Sequence, residues 1–406
     1  MEKPSLEVAG IFHRHGEDYR QTHHLGPQQQ KAMEDIEACR TAHLGGHVDS
    51  CTQEGCGYTA ISYNSCRNRH CPKCQSLKQA KWLNERTERL LPTRYFHMVV
   101  TLPHEVIALA LFNRKIVFNL LFESASRALL EFSLGYERLR AQVGFTAVLH
   151  TWDQDLNFHP HLHIVATGGG LSTDGSKWIS ATNGFLLPVR ALSKIIRAKF
   201  AQALEKVYQE GRLKGNAPCL EGKAQFARFT RKLKRKKWVV YCKGLFHGSK
   251  KAYDYLSRYT HRVAISNHRL LSLDDHLVTF RARDNRNPGR HRSVTIHAQE
   301  FIRRFLLHIL PPRFVKIRHF GLMAPCNAKT KLESARTLII NQGPAPGEVP
   351  PERTDISKES KTWQEMMEDL TGINPTLCPQ CGKGMLVRFK LSSTQHSLSP
   401  PIWNSS

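Results

Sequence analysis

The sequence predicts an α+β fold built on a largely antiparallel sheet. Three observations carry this. Segments 143–151 and 161–167 are apolar and rich in strand formers, and the polar loop between them is short enough to pair them as a hairpin. Segment 95–102 (YFHMVVTL) alternates and is bulky, so it reads as a further strand that Pro103 ends. Stretches 105–132 and 187–212 carry apolar residues at three- and four-residue steps, which places long helices between the strands.

Residues 1–34 are polar and histidine-rich at first, with little periodicity, and predict a loose or weakly helical arm that passes into a short helix over 31–39. Residues 35–90 hold Cys39, His43, His47, Cys51, Cys56, Cys66, His70, Cys71 and Cys74. Cys71-Pro72-Lys73-Cys74 is a knuckle of the kind that wraps Zn²⁺, and Cys51 with Cys56 is its natural partner in a four-thiolate structural site. Cys39, His47, Cys66 and His70 are left over, to form a second site or to replace one of the thiolates. The plainer alternative is a set of buried, unligated cysteines. Metal would support a module whose own core is small. Arg67, Asn68, Arg69 and Lys73 interleave with the ligands and would face phosphates. Segment 77–91 predicts a basic helix leading into a body at 91–325.

Within that body, His161-Leu162-His163 is the focus. Alternate side chains of a strand share a face, so the two imidazoles sit about 7 Å apart at strand rise and can reach one divalent cation. His159 and Pro160 end the preceding loop, and the run Gly168-Gly169-Gly170 predicts a turn that closes the strand. The hairpin brings His150 beside the pair as a third ligand. A polar face with solvated histidines is the plainer reading of so short a pattern. Further on, 229–237 (FTRKLKRKK) concentrates charge, including Lys234, Arg235 and Lys236, before a strand at 238–241. Strands at 277–282 and 293–297 flank a turn at 286–290, and 301–310 is a short helix.

Between them lies 249–262 (SKKAYDYLSRYTHR). Read as a helix, it puts Tyr255 and Tyr259 on one face, four residues apart. Half-buried helix tyrosines are the ordinary reading. Lys250, Lys251, Arg258, His261 and Arg262 surround them with positive charge, which attracts phosphate and favours phenolate.

Lys plus Arg outnumber Asp plus Glu by 59 to 34, a formal charge of +25, which points to nucleic acid as partner. Neither a basic amphipathic helix nor a lipidation motif supports a membrane surface, and no apolar run is long enough to span a bilayer. The first residues lack the apolar core of a signal peptide, so the expected location is the cytoplasm. The 11 cysteines then read as metal ligands and free thiols, not disulfides.

Four blocks, in this order, resemble the two-tyrosine rolling-circle transposases of the HUH superfamily, in particular the insertion-sequence-91-like family. They are CRNRHCPKCQ (66–75), FHPHLHIVATGGG (158–170), YLSRYTHRVAISNHRL (255–270) and EFIRRFLLHILPPRFVKIRHFG (300–321). The likeness covers about residues 35–325. Here the first cysteine pair is two residues wider than the family's usual C-x2-C. The resemblance implies an HUH-type central antiparallel sheet flanked by helices, with an N-terminal zinc-binding module. It implies that His161 and His163, with His150 by similarity to three-histidine relaxases, hold Mg²⁺ or Mn²⁺ against the scissile phosphate of single-stranded DNA at transposon ends and target. It also implies that Tyr255 and Tyr259 are nucleophiles giving a 5′-phosphotyrosine and a free 3′-OH in a bacterial cell. Asp153 and Asn157 are candidates for supporting or loop roles. Trp152 and Phe158 are candidate stacking platforms, with core packing their commoner use.

The remainder, 326–406, reads as a Pro/Gly linker at 339–351, a short helix at 362–370, and a disordered end from 392. Cys378-Pro379-Gln380-Cys381-Gly382 is half of a zinc ribbon with no evident second half; either Cys326 or a histidine completes it, or it is degenerate. Two further functions remain open: a replication initiator or relaxase with the same chemistry, and a non-enzymatic zinc-containing DNA-binding regulator.

Overall fold

Alternation along three strands decides which face of the central sheet is buried. The structure is a computed structural model that describes residues 4–74, 81–82, 86, 89–181, 186–244, 263–284, 286–287, 289–343 and 362–392. In chain order the elements are α1 (Val8–Thr22), α2 (Pro27–Glu37), β1 (Gly46–Cys51), β2 (Thr59–Tyr63), β3 (Tyr95–Thr101), α3 (Ile107–Phe112), α4 (Arg114–Gly135), β4 (Ala141–Trp152), β5 (Phe158–Ser172) and β6 (Trp178–Ser180). There follow α5 (Val189–Gln209), α6 (Lys223–Arg235), β7 (Val240–Gly244), β8 (Leu270–Asp274), β9 (Leu277–Arg283), β10 (His291–His297), α7 (Ala298–Leu306), β11 (Ile317–Gly321), α8 (Lys331–Gln342), α9 (Trp363–Thr371) and β12 (Leu386–Leu391).

The central sheet runs β11-β4-β5-β3-β7, with β6 paired to β5, and its ladders are antiparallel. Phe96, Met98 and Val100 of β3, Phe145, Ala147 and Leu149 of β4, and Leu162, Ile164 and Ala166 of β5 all point to one face. There they bury against α4 and α5 through Phe118, Leu121, Phe122, Ile196 and Phe200, the main core of the molecule. The opposite face carries His97, His150, His161 and His163. At its far end Tyr95, Val165 and Leu171 pack with Leu332, Ala335 and Ile339 of α8. The fold is thus α+β with antiparallel sheets, as the alternation predicts.

Several elements differ from the sequence expectation. The N-terminal arm is two helices, not loose chain. Val8, Ile11, Phe12 and Tyr19 form a buried stripe, and Phe12 meets Phe305 of α7 edge to face at 5.3 Å. The helical pattern over 105–132 breaks at Asn113. Its side-chain amide donates to Leu109 O (3.1 Å) and Lys214 O (2.8 Å) and accepts from Lys214 N (2.8 Å), giving the polar break its partners. The cationic run at 229–237 belongs mostly to α6. Strands β8, β9 and β10 form a sheet of their own, β10-β9-β8, and do not extend the central one.

The triple glycine is not a turn. β5 continues through it to Ser172. A Cβ on Gly168 would stand 2.7 Å from Arg94 O, and one on Gly170 would stand 2.6 Å from Gln142 O. The glycines let three neighbouring backbones approach β5. Of the predicted helix at 77–91, Lys81, Trp82 and Arg86 are helical and most of the rest lies outside the described residues. The same holds for 344–351 of the linker and for the end from 393.

Candidate active site and metal centres

The β4–β5 ladder sets the histidine geometry. His150 is directly opposite His161, and Val148 is opposite His163. One ligand nitrogen from each of His150, His161 and His163 lies within 4.8 Å of the others. The Nε2 atoms of His161 and His163 are 3.1 Å apart, close to the separation of about 3 Å for two ligands at right angles on a cation with bonds of about 2.1 Å. His161 Nδ1–H donates to His159 O at 2.7 Å, which fixes the tautomer and leaves the Nε2 lone pair for a metal. Burial pushes the His161 imidazole down to about 4, so it is neutral and ligand-competent near pH 7. His150 is buried and stacks on Trp152, with centroids 4.5 Å apart and planes at 17°. The donor set fits one divalent ion.

Supporting groups come from three other elements. His97 on β3 brings Nε2 to 2.9 Å from His163 Nδ1, and burial lowers its own pKa to about 4. His308, just past α7, is fully enclosed. Its Nε2–H donates to Leu156 O (3.1 Å), and its Nδ1 accepts from the Thr151 hydroxyl (3.2 Å). The hairpin loop itself is tied by Asp153, whose carboxylate accepts from the amides of Asp155 and Asn157 (both 2.8 Å) and from Asn157 Nδ2 (3.0 Å). Asp153 and Asn157 therefore build the loop. Trp152 and Phe158 pack, the first on His150 and the second beside Phe118 and under the Arg114 guanidinium.

The predicted nucleophiles Tyr255 and Tyr259, with Lys250, Lys251, Arg258 and Arg262, lie outside the described residues. The chain leaves the described part at Gly244, on the strand next to β3. It returns at 263, and Ala264 and Ile265 join the buried cluster that contains Leu156 and borders Trp152.

The cysteines sort into two groups. Cys39, Cys66, Cys71 and Cys74 form one; Cys51, Cys56, Cys378 and Cys381 form the other, and within each the sulfurs lie within 4.8 Å of one another. This corrects the predicted grouping of Cys51 and Cys56 with Cys71 and Cys74. The β1–β2 ladder carries the first pair away from the knuckle, while Cys39, at the end of α2, turns back to it. Sγ–Sγ separations of 3.7 Å for Cys66–Cys74 match the edge of a tetrahedron with Zn–S of about 2.3 Å, and exclude a disulfide of about 2.05 Å. The backbone amides of Asn68 and Cys66 donate to Cys66 Sγ and Cys39 Sγ, both at 3.4 Å. Hydrogen bonds from Cys39, Cys66 and Cys71 lower the pKa of the Cys74 thiol. His70 belongs to neither group: its Nε2 accepts the Leu310 amide at 3.2 Å.

Two family descriptions match successive parts of the chain. Residues 144–331 match a family described as "Putative transposase", and residues 11–102 match one described as "Transposase zinc-binding domain". The chain is 43% identical over 394 residues to "Putative transposase y4qJ" of Sinorhizobium fredii, covering 96% of each. The chain belongs to the insertion-sequence-91-like transposases. It is also 24% identical over 358 residues to the "Transposase for insertion sequence element IS801" of Pseudomonas savastanoi pv. phaseolicola, covering 87% of this chain and 82% of the relative. No solved structure gives a significant match.

In this transposase the zinc-binding domain and its cysteine cluster support structural zinc. The predicted phosphate-facing cations divide. Arg67 is exposed, whereas Arg69 donates to Phe314 O (2.6 Å) and Pro311 O (2.8 Å) and so fastens the cysteine module to the body. Lys234, Arg235 and Lys236 are exposed on and just beyond α6, with Lys234 paired to Glu205 and Lys236 to Glu105 (each 2.8 Å). Such surface pairs are weak and exchange readily for phosphate. No helix among the described residues of the transposase is long and apolar enough to cross a membrane. Sequence reasoning missed His97 and His308. For His97 a signal was present: a lone histidine in an otherwise apolar alternating strand.

Proposed function

We propose that this transposase nicks single-stranded DNA at element ends and transfers the strand through a tyrosine ester, in rolling-circle fashion. The observation that carries the reading is the convergence of His150, His161 and His163 at the centre of an antiparallel sheet, with the tautomer of His161 preset. A bound Mg²⁺ or Mn²⁺ would act there as Lewis acid and template for the scissile phosphate; imidazole ligands suit Mn²⁺ better than Mg²⁺.

The chemistry assigned to the chain's own groups is a transesterification. The Tyr255 or Tyr259 oxygen forms a bond to phosphorus, and the bond to the 3′ oxygen breaks. The 3′ oxygen leaves as a hydroxyl, taking up a proton as the phenol loses one. One phosphate ester replaces another, so the strand can be rejoined without ATP. Two tyrosines allow two covalent strands in sequence. The net charge of +25 and the exposed Arg67, Lys234, Arg235 and Lys236 suit a DNA backbone.

The test is incubation with labelled single-stranded DNA carrying an element end, plus Mn²⁺. We expect an SDS-resistant adduct that is lost in Tyr255→Phe with Tyr259→Phe, and cleavage lost but DNA binding kept in His161→Ala. An adduct that persists in the double variant removes the assigned nucleophiles, and normal cleavage by His161→Ala removes the metal role.

A further inference from the structure

We propose that Cys51, Cys56, Cys378 and Cys381 hold a second zinc ion, which clasps the C-terminal segment of the chain to its N-terminal module. Cys378 and Cys381 lie far outside the segment that matches the zinc-binding domain, residues 11–102. The site is built from both ends of the chain.

Four sets of observations converge on it. The first is sulfur geometry. Cys51 Sγ is 3.7 Å from Cys381 Sγ, and Cys56 Sγ is 3.7 Å from Cys378 Sγ. These are the separations seen in the other four-thiolate group, and again they fit a tetrahedral edge and exclude a disulfide.

The second is the hydrogen bonding around the sulfurs. Gln53 N donates to Cys51 Sγ and Gly384 N to Cys381 Sγ, both at 3.3 Å. Amide donors aimed at thiolates are the outer support such sites require. The two turns are also bonded to each other: Thr52 N to Met385 O (2.9 Å), Met385 N to Thr52 Oγ1 (3.1 Å) and Gln380 Nε2 to Cys56 O (3.3 Å).

The third is steric. A Cβ at Gly384 would run into Cys51 Sγ and stand 2.8 Å from Gln53 Cβ, and Gly382 has φ +64°. Gly384 is required by how closely the turn wraps the sulfurs, and Gly382 by its left-handed backbone.

The fourth is what else holds the segment. β12 pairs antiparallel with β1 from Gly46↔Leu391 to Cys51↔Leu386, and Arg388 pairs with Asp49 at 2.7 and 3.1 Å. Apolar burial does little: Val387 and Phe389 are 43% and 57% exposed, and Ile373 and Met385 are exposed as well. Partners separated by 330 and 322 residues must be brought together against a large loop-closure entropy. Coordination by four thiolates, with release of their protons, supplies what the small apolar contact lacks.

The test counts ions, so it is independent of the strand-transfer reading. Reduced, purified full-length protein is analysed for zinc by elemental analysis, and by Co²⁺ titration of the apo form. We expect two ions per chain. Cys378→Ser with Cys381→Ser should bind one, retain its circular dichroism, and release the C-terminal segment under limited proteolysis where the parent protein does not. One ion per wild-type chain overturns the proposal whatever the variant does, and so does a folded double variant that still binds two. Gly384→Ala, which keeps all four thiols, should bind the second ion at least tenfold more weakly; unchanged affinity for both ions would contradict the close wrapping on which the site depends.

Discussion

His97 Nε2 stands 2.9 Å from His163 Nδ1, so the ring of His163 on β5 is oriented by a histidine on the neighbouring strand β3. The rings lie nearly parallel, with centroids 5.2 Å apart and planes at 14°. If His163 offers Nε2 to a metal, its Nδ1 carries the proton and donates it to neutral His97, whose depressed pKa suits that role. Removing an outer partner of a metal-bound histidine costs about 10- to 100-fold in metal affinity or activity. We therefore expect His97→Ala to weaken Mn²⁺ binding and DNA cleavage by that factor while folding is retained. His97→Gln, whose side-chain carbonyl can still accept, should recover part of the loss. Equal affinities in parent and Ala variant, measured by calorimetry, would show that His97 only packs.

Arg67 and Arg69 are two residues apart and look alike in sequence, yet they should behave differently. Arg69 spends its guanidinium on the carbonyls of Phe314 and Pro311. Truncating it strands part-buried acceptors, and a charged hydrogen bond of this kind is worth about 1.5–3 kcal/mol. Arg69→Ala should lower stability by that order in chemical denaturation. Arg67→Ala, at an exposed position, should cost less stability than Arg69→Ala. It should instead lower DNA affinity and reduce the salt dependence of binding by about one counterion. A stability loss at Arg67 matching that at Arg69 would refute the division.

These contrasts show where the sequence was legible. The histidine hairpin was, because alternation and one short loop fix which side chains share a face, and the register His150↔His161 follows. The partition of the cysteines was not. Spacing along the chain does not say which pairs meet, and Cys378 lies 322 residues from its partner Cys56. Helix α1 was hidden by its polar residues, the exposed His13, Arg14, Glu17 and Asp18 and the buried His15, although Val8, Ile11, Phe12 and Tyr19 already stood at helical spacing. The glycine run misled because glycine marks both turns and close approach of strands, and only the neighbouring backbones decide between them. The tyrosine segment lies outside the described residues.

Stability should depend on pH through His308. Burial pushes this imidazole down to about 4, against 6.5 in the unfolded chain, and it makes no contact with the metal ligands in the bonds described. Between those values the unfolded chain binds the proton and the fold does not. The contribution is thus fully present above about pH 6.5 and is lost as pH falls towards 4, up to about 3 kcal/mol in all. Denaturation midpoints of the parent protein should fall across that window. His308→Gln, with no proton to bind, should show a flatter profile even if it is less stable at pH 7. Parallel profiles for the two proteins would place the titration elsewhere.

Close approach of two backbones sets the hairpin register. A Cβ on Gly170 would meet Gln142 O at 2.6 Å and Gln142 C at 2.7 Å, both main-chain atoms of the paired strand. Neither can rotate away, so Gly170→Ala must push β4 from β5 or bend it. Overpacking of this kind costs about 1–3 kcal/mol. Gly10 is the useful contrast: it lies inside α1, and nothing stands within 4 Å of where its Cβ would be. Gly10→Ala should stabilise the protein by about 0.5–1 kcal/mol through helix propensity. The displacement at Gly170 would run along β4 towards His150, so Gly170→Ala should also weaken Mn²⁺ binding, while Gly10→Ala should not. An Ala at 170 tolerated without loss of either stability or metal affinity would mean that the close approach of β4 and β5 is not what holds His150 opposite His161.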